Sequence, residues 1–395
     1  EASAMLVDMF PMRDGKRPRG LSTYSKLDES EDGANIKDYP FMNRDPRFYR
    51  TFAMPGFRWA YTGDPVPADA FNPNYNNGKD YVLWNYVWYA DPQDVDDVES
   101  GNAYGADNLL KSKRGVYVRK RSNDGDISEP LYSFNATYDN GGFAYSAAPW
   151  MEIRYAEVLL NYAEAACGAG HMSEAVEQLK LIRQRAGYSG DCGLQGNLST
   201  DQAACMSAVL YERQIELAYE GKRFDDLRRW MLFDGGMGKI EGAPASWTLT
   251  GWGGNTCTWL GFTALNNQRR ENMEFRLNNN YGIGGTTGDV SSDPLLKKGV
   301  ERPNGIDLRK EINDEEGNQL TELQEFYNEH FTRKLKKGDA YDSNKQPLKI
   351  KFSPRYYFLG FSQGALNNCS GIEQCIGWED SNNGGSLGTF DPLAE

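Results

Sequence analysis

Three glutamates repeat at every fourth position near the middle of the chain: Glu212, Glu216 and Glu220. This spacing places like charges on one helix face, which destabilises an isolated helix unless cations face them. A general acid would need one carboxyl group to be desolvated so that its pKa rises. The expected partners are arginines on neighbouring elements: Arg183 and Arg185 before the glutamates, or Arg223 and Arg228 after them. We therefore expect a structural ion network rather than a catalytic carboxylate pair.

Tryptophans are the residues best suited to binding a sugar ring, because the ring presents a CH-rich face to a flat aromatic platform. Trp247, Trp252 and Trp259 lie in a glycine-rich segment and are the first candidates for ligand binding. Trp84 and Trp88 lie on one face of a predicted strand and are further candidates. The alternative for the first group is a hydrophobic cluster under a long loop, and for the second it is core packing. Both alternatives are favoured over binding.

Cysteines and histidines limit the possible metal chemistry. The six cysteines lack the CxxC spacing of zinc sites and only two histidines are present, so we expect no metal and no cofactor. Two pairs are close enough in sequence to form local disulfides, Cys369 with Cys375 and Cys192 with Cys205. The acidic stretch at residues 91–100 lacks the spacing of an EF-hand loop, so a solvated loop is the preferred interpretation.

Composition excludes several classes of function. The 395 residues are 39% hydrophobic, enough for a large core, and the net charge of −13 disfavours nucleic acid and anionic membrane surfaces. No apolar run reaches the ~18 residues of a membrane span. Aromatics at 13% and 42 glycines indicate long irregular segments between the regular elements.

Periodicity divides the chain into three regions. Residues 1–150 are predicted to be loop-rich with short strands, residues 151–233 to form helix pairs, and residues 234–395 to be a loop-rich insertion with one helix, about 319–336, and an extended C-terminal tail. The expected fold is mainly α, a tetratricopeptide-like helical-repeat scaffold with large irregular insertions and few short strands.

Two helical hairpins are predicted in the central region. In the first, Tyr155, Tyr162, Leu179 and Ile182 are expected in the core, and glycines at 168 and 170 separate the two helices. The second covers residues 203–220 and 222–233, with Gly221 at the break. Because a lone hairpin cannot bury its outer faces, the two pairs should pack directly on each other.

The segment YERQIELAYEGKRFDDLRRW, at residues 211–230, closely resembles the signature helix pair of the SusD/RagB family. Further segments fit the same family: DPRF at 45–48, RGVYVRK at 114–120, IRYAEVLLNYAEA at 153–165, LIRQRAGY at 181–188 and YYFLGFSQGALNN with a later Gly377-Trp378. Leu359 stands where proline is usual, and Cys375-Ile376 replaces the usual Asn-Pro. The resemblance covers nearly the whole chain, although family members are considerably longer at the N-terminus.

The resemblance implies a non-enzymatic outer-membrane lipoprotein on the extracellular face of a Bacteroidetes-type cell. Such a protein captures glycans, or in some members peptides, and delivers them to a SusC-like TonB-dependent transporter. Its contact with the membrane is expected only through an N-terminal lipid anchor that is not in this chain. Two alternatives stay open: a carbohydrate-active hydrolase on a helical scaffold, which needs two facing carboxylates, and a tetratricopeptide scaffold that binds only protein partners.

Overall fold

The computed structural model describes residues 2–15, 43–66, 79–89, 103–107, 115–122, 132–135, 137, 143–146, 149–194, 196–231, 233, 271–278, 292–307, 314–337 and 352–393. Its α-helices are α1 Ala4–Met9, α2 Pro46–Thr51, α3 Tyr155–Gly168, α4 Met172–Arg185, α5 Gln202–Glu216, α6 Arg223–Arg229, α7 Pro294–Lys297, α8 Asp314–His330 and α9 Gln363–Asn368. Its strands are β1 Phe52–Ala53, β2 Arg58–Ala60, β3 Thr62–Gly63, β4 Asp80–Val82, β5 Val87–Tyr89, β6 Ala103–Gly105, β7 Tyr117–Val118, β8 Tyr132–Phe134, β9 Phe143–Ser146, β10 Glu271–Leu277, β11 Phe331–Lys337, β12 Glu379–Asp380 and β13 Ser386–Leu387.

The first predicted hairpin, α3 with α4, is present, but α3 buries a different face from the one expected. Leu160 and Ala163 are fully buried, whereas Tyr155 is 73% and Tyr162 46% exposed. The prediction that both tyrosines belong to the core is therefore wrong. Small side chains on the buried face allow α3 to approach its neighbours closely, and a tyrosine ring would not fit there. The Tyr162 hydroxyl instead donates a hydrogen bond to Glu174 at the surface.

The second hairpin, α5 with α6, packs on the first as predicted. Leu179 and Ile182 of α4 and Val209 and Leu210 of α5 are buried in one hydrophobic cluster. Asp201 caps α5 by accepting a hydrogen bond from the Ala204 amide, at 3.0 Å. Both helices are shorter than predicted, because the chain leaves the helical conformation after Glu216 and resumes it at Arg223.

A four-stranded sheet lies beside the helical pairs in the order β11-β10-β5-β6. The β10–β11 ladder is antiparallel and runs from Glu271 opposite Lys337 to Leu277 opposite Phe331. The predicted helix at 319–336 is therefore wrong at its C-terminal end, since α8 ends at His330 and a strand begins at the next residue. Tertiary pairing with β10 prevails over the helical propensity of the lysine-rich segment.

Three hydrophobic clusters form the interior of the part of the chain that the structure describes. The largest joins residues from all three predicted regions, including Trp84, Tyr211 and Phe326. The second contains the helical pairs with Tyr357 and Cys375 of the C-terminal segment, and the third surrounds Trp59. The region boundaries at 150 and 233 stay predictions. Among the helices described, none is both long enough and apolar enough to cross a bilayer.

Candidate functional site

Glu212 and Glu216 of the glutamate ladder lie on the buried side of α5, and Glu220 lies in the turn that follows it. Glu212 is fully buried and Glu216 is 2% exposed. Arg47 Nη1 donates to both, at 2.6 Å to Glu212 Oε1 and 2.8 Å to Glu216 Oε2. Arg183 Nε donates to the other oxygen of Glu212, at 2.8 Å. Arg47 thus bridges Glu212 and Glu216, and Arg183 binds the second carboxylate oxygen of Glu212.

The outer part of the ladder is held in the same way. Arg154 donates to Glu216 Oε1 and Glu220 Oε2, both at 2.6 Å. Arg185 Nη2 lies 2.6 Å from Glu216 Oε1, and Lys120 Nζ lies 2.6 Å from Glu220 Oε1. We call the whole assembly the glutamate cluster. Its carboxylates are Asp45, Glu212, Glu216 and Glu220, and its cations are Arg47, Lys120, Arg154, Arg183 and Arg185.

The Asp45-Pro46-Arg47 motif connects the cluster to the N-terminal part of the chain. Asp45 caps α2 by accepting a hydrogen bond from the Arg47 amide at 2.7 Å, with Pro46 at the first helical position. The same carboxylate pairs with the Arg47 guanidinium at 2.7 Å and accepts from the Tyr188 hydroxyl at 2.7 Å. The motif therefore both starts a helix and directs its arginine at α5.

The electrostatics of the cluster favour ionised carboxylates. Burial by itself raises the pKa of Glu212, but the guanidinium groups of Arg47 and Arg183 outweigh it and hold that pKa below its usual value. Burial also acts to raise the pKa of Glu220, and hydrogen bonds and charge from Arg154 and Lys120 lower it overall. A general acid needs the opposite shift. The chemistry of the cluster is thus that of a fixed ion network.

The signature helix pair is held together by a second group of ion pairs. Arg213 donates to Asp226 through Nη2 at 2.9 Å and to Asn161 Oδ1 of α3 at 2.6 Å. The Trp230 indole donates to Glu164 Oε1 at 2.9 Å. Because these contacts link three helices, they fix α3, α5 and α6 in one arrangement.

A cavity of about 620 Å³ opens between α3, α5 and α6. Buried Met206 and Leu210 contribute apolar surface to it, and Trp230 lines it as well. Its charged lining residues are largely engaged in ion pairs, such as Lys222 with Glu157 at 3.3 Å. Asp225, also in the lining, is solvent-exposed. The cavity is therefore polar at its edge and apolar below.

The predicted partners of the glutamates are partly right. Arg183 and Arg185 contact the ladder as expected. Arg223 instead donates to Gln214 Oε1 at 3.2 Å. The sequence interpretation missed Arg47, Arg154 and Lys120, although each lies in a segment quoted for the family resemblance. The signal that could have identified them is that every such segment before α5 contributes a cation.

The predicted binding tryptophans have different outcomes. Trp247, Trp252 and Trp259 lie outside the described residues. Trp84 and Trp88 are each 1% exposed and belong to the largest hydrophobic cluster. Neither indole presents a face to a ligand, so the candidate role of these two in binding is wrong for this structure, and core packing is their role.

The predicted disulfides are absent, and the four cysteines concerned are free thiols. Cys205 points into the interface between α3 and α5, whereas Cys192 lies in a turn where its sulfur contacts the Gly190 carbonyl at 3.8 Å. Cys369 is exposed at the end of α9, while Cys375 is buried in the cluster under the helical pairs. In each predicted pair the two cysteines therefore lie in different surroundings, and neither pair is joined in this structure.

A family model described as the SusD family matches residues 1–378 of the chain. The chain is 33% identical over 152 residues to SusD-like protein P2 of Formosa agariphila, a match covering 35% of this chain and 30% of that protein. A SusD-like protein of Bacteroides fragilis NCTC 9343 aligns at 24% identity and TM-score 0.38, covering 59% of this chain and 36% of that one. The protein BT4246, in selenomethionine form, aligns at 24% identity and TM-score 0.34, covering 58% and 35%.

These matches span about a third of the length of each of those relatives. The family match, in contrast, covers almost the whole chain and includes every motif that meets at the glutamate cluster. The chain belongs to the SusD family.

Proposed function

We propose that this protein is a cell-surface nutrient-binding protein without catalytic activity. It captures an oligosaccharide, or a peptide, and delivers it to a SusC-like TonB-dependent transporter at the extracellular face of the outer membrane. A lipid anchor attaches it to the membrane. The observation that carries the proposal is the family match over residues 1–378.

The glutamate cluster supports a binding role over hydrolysis. A glycosidase needs one protonated carboxyl group with a raised pKa and a second carboxylate across the cleft. Glu212 and Glu220 have lowered pKa values and accept bonds from arginine and lysine. Buried charges satisfied in this way hold a scaffold in one arrangement, which is the property that a receptor with loop-borne ligand contacts needs.

The loop tryptophans are the proposed ligand contacts. Trp247, Trp252 and Trp259 share a segment with several glycines and Asn255, which leaves room for polar contacts to sugar hydroxyls. Stacking of a neutral sugar on an indole is non-ionic, so it should depend little on salt. Capture of a basic peptide by a chain of net charge −13 should weaken as salt rises.

Calorimetry at low and high salt tests the proposal with neutral oligosaccharides and with basic peptides. We expect a neutral oligosaccharide whose dissociation constant changes less than about twofold between the two conditions, because no charge is paired on binding. Trp247→Ala, Trp252→Ala and Trp259→Ala should weaken that binding. Trp150→Ala is the matched control, since Trp150 is a surface tryptophan outside the candidate segment, 63% exposed.

Three outcomes contradict parts of the proposal. Hydrolysis of the bound oligosaccharide by the purified protein would favour the carbohydrate-active hydrolase. Failure to bind any oligosaccharide or peptide, with capture of protein partners only, would favour the tetratricopeptide interaction scaffold. Folded tryptophan variants that bind as the parent does would place the ligand site elsewhere.

A further inference from the structure

Two buried cysteines meet where the first helical pair packs on the second. Cys167 lies at the C-terminal end of α3 and Cys205 in the first turn of α5. Both side chains are fully buried. The two thiols lie close enough for each to affect the pKa of the other. The two sulfur atoms are thus neighbours, although the cysteines belong to different helical pairs.

Backbone contacts fix the two helix ends in this arrangement. The Gln202 side-chain amide donates to the Cys167 carbonyl at 2.8 Å, and Cys167 Sγ contacts the Gln202 carbonyl at 3.5 Å. Cys205 Sγ lies 3.8 Å from the Met172 carbonyl at the start of α4. Three helix termini therefore surround the two thiols.

We infer that Cys167 and Cys205 form a disulfide that joins the two helical pairs when this chain folds in an oxidising compartment. The reaction is thiol–disulfide exchange with a disulfide oxidant, such as oxidised glutathione or a protein disulfide oxidoreductase. One cysteine attacks the oxidant and forms a mixed disulfide, and the other cysteine then displaces the second oxidant thiol. Two protons and two electrons leave the cysteine pair, and the oxidant is reduced to two thiols.

The bond forms while the chain folds rather than in the finished structure. Burial, with the neighbouring thiol, raises the pKa of Cys167 to about 12, and burial raises the pKa of Cys205. Because the thiolate is the reactive form, buried thiols of high pKa exchange slowly. The sulfur atoms of a disulfide lie about 2 Å apart, so the packing of α3 on α5 must bring the two thiols to that distance as the bond forms. The closed loop then restricts the unfolded chain.

The other cysteines of the described residues offer competing pairings that the test must separate. Cys192 precedes Cys205 by a short polar stretch and is the partner that sequence proximity favours. Cys375 shares the hydrophobic cluster with Cys167 and Cys205, and Cys369 is exposed. In the described part of the chain, Cys167 and Cys205 are the two buried cysteines whose thiols affect each other's pKa.

Peptide mapping of the full chain tests the inference. The chain is refolded in a glutathione redox buffer, its free thiols are alkylated in denaturant, and it is digested without reduction. Trypsin leaves Cys192 and Cys205 on one peptide, so cleavage before Asp201 is added to separate them. We expect a cross-linked pair of peptides, one with Cys167 and one with Cys205, that disappears on reduction. Alkylated Cys167 and Cys205, or Cys205 linked to any other cysteine, would overturn the inference.

Matched variants give a second readout. Cys192→Ser should keep the cross-link, whereas Cys167→Ala and Cys205→Ala should each lose it. The thermal midpoint of the oxidised parent should fall by several degrees in dithiothreitol, and that of the Cys167→Ala/Cys205→Ala double variant should not change. A parent midpoint that does not respond to dithiothreitol would count against the bond. If either variant fails to fold, the peptide map of the parent alone decides.

Discussion

Arg213 and Asp226 form a buried ion pair across the turn between α5 and α6. Arg213 Nη2 lies 2.9 Å from Asp226 Oδ1, and Arg213 Nε lies 3.1 Å from Asp226 Oδ2. The Arg213 side chain is 4% exposed and the Asp226 side chain 6% exposed. The two parallel hydrogen bonds fix the guanidinium plane against the carboxylate, which holds the two helices of the family signature at a defined angle.

Removing Arg213 should destabilise the fold, because it takes one of two arginine partners from buried Asp226 and a donor from exposed Asn161. Arg213→Ala should lower the free energy of unfolding by about 1–3 kcal/mol, the usual cost of losing charged hydrogen bonds to a buried group that keeps another partner, here Arg229. Urea unfolding followed by circular dichroism measures it. Lys180→Ala is the control, since Lys180 pairs with exposed Glu177, and should change stability by less than about 1 kcal/mol. Equal losses for both would contradict the structural role of the pair.

Stability should depend on acid pH through Glu212. Its folded-state pKa is lowered, against the effect of burial, by Arg47 and Arg183. The stabilisation from this ionised carboxylate is therefore present above the unfolded-state pKa of about 4.3 and is lost as pH falls through the folded-state value. Glu212→Gln should be less stable than the parent at neutral pH, and the difference should shrink below about pH 4. Urea midpoints across this range measure it, and a difference that stays constant would disprove the assignment.

The buried face of α3 can be tested directly. Leu160 is fully buried and Val158, on the same helix, is 49% exposed. Leu160→Ala should cost about 2–5 kcal/mol of unfolding free energy because it leaves a cavity. Val158→Ala should change it by less than about 0.5 kcal/mol. Thermal or urea unfolding compares the two, and the reverse order of effects would restore the face predicted from the sequence.

Gly221 and Gly115 should differ in how well they tolerate replacement by alanine, although both have positive φ. Gly221 has φ +82° and open space where a Cβ would lie, so Gly221→Ala should cost about 1–2 kcal/mol of backbone strain. Gly115 has φ +85°, and a Cβ there would lie 2.1 Å from the Met273 carbonyl oxygen of β10. Gly115→Ala should therefore be the more destabilising. Unfolding curves of the two variants provide the comparison, and an equal cost would show that β10 moves away freely.

Local patterns predicted the helical pairs because hydrophobic periodicity and turn residues act over a few positions. The hairpin of α3 and α4 lies within the region predicted to form helix pairs, residues 151–233, and α5 packs on it as expected. The buried face of α3 is shifted by one residue from the predicted face: Ala156 is buried where Tyr155 was expected. Tyr155 and Ala156 both fit an apolar stripe, and only the space between closely packed helices excludes the larger side chain.

The order of residues was enough to identify the family and to locate its motifs, because a motif is read from neighbouring positions along the chain. The folded chain was needed to show that Arg47, Arg154 and Lys120 converge on the glutamate ladder, and that Cys205 shares a buried cluster with Cys167. The glutamate spacing indicated that cations were needed but not which residues supply them. The partner of a buried charge or thiol is set by which elements pack together, and that packing joins residues far apart in the chain.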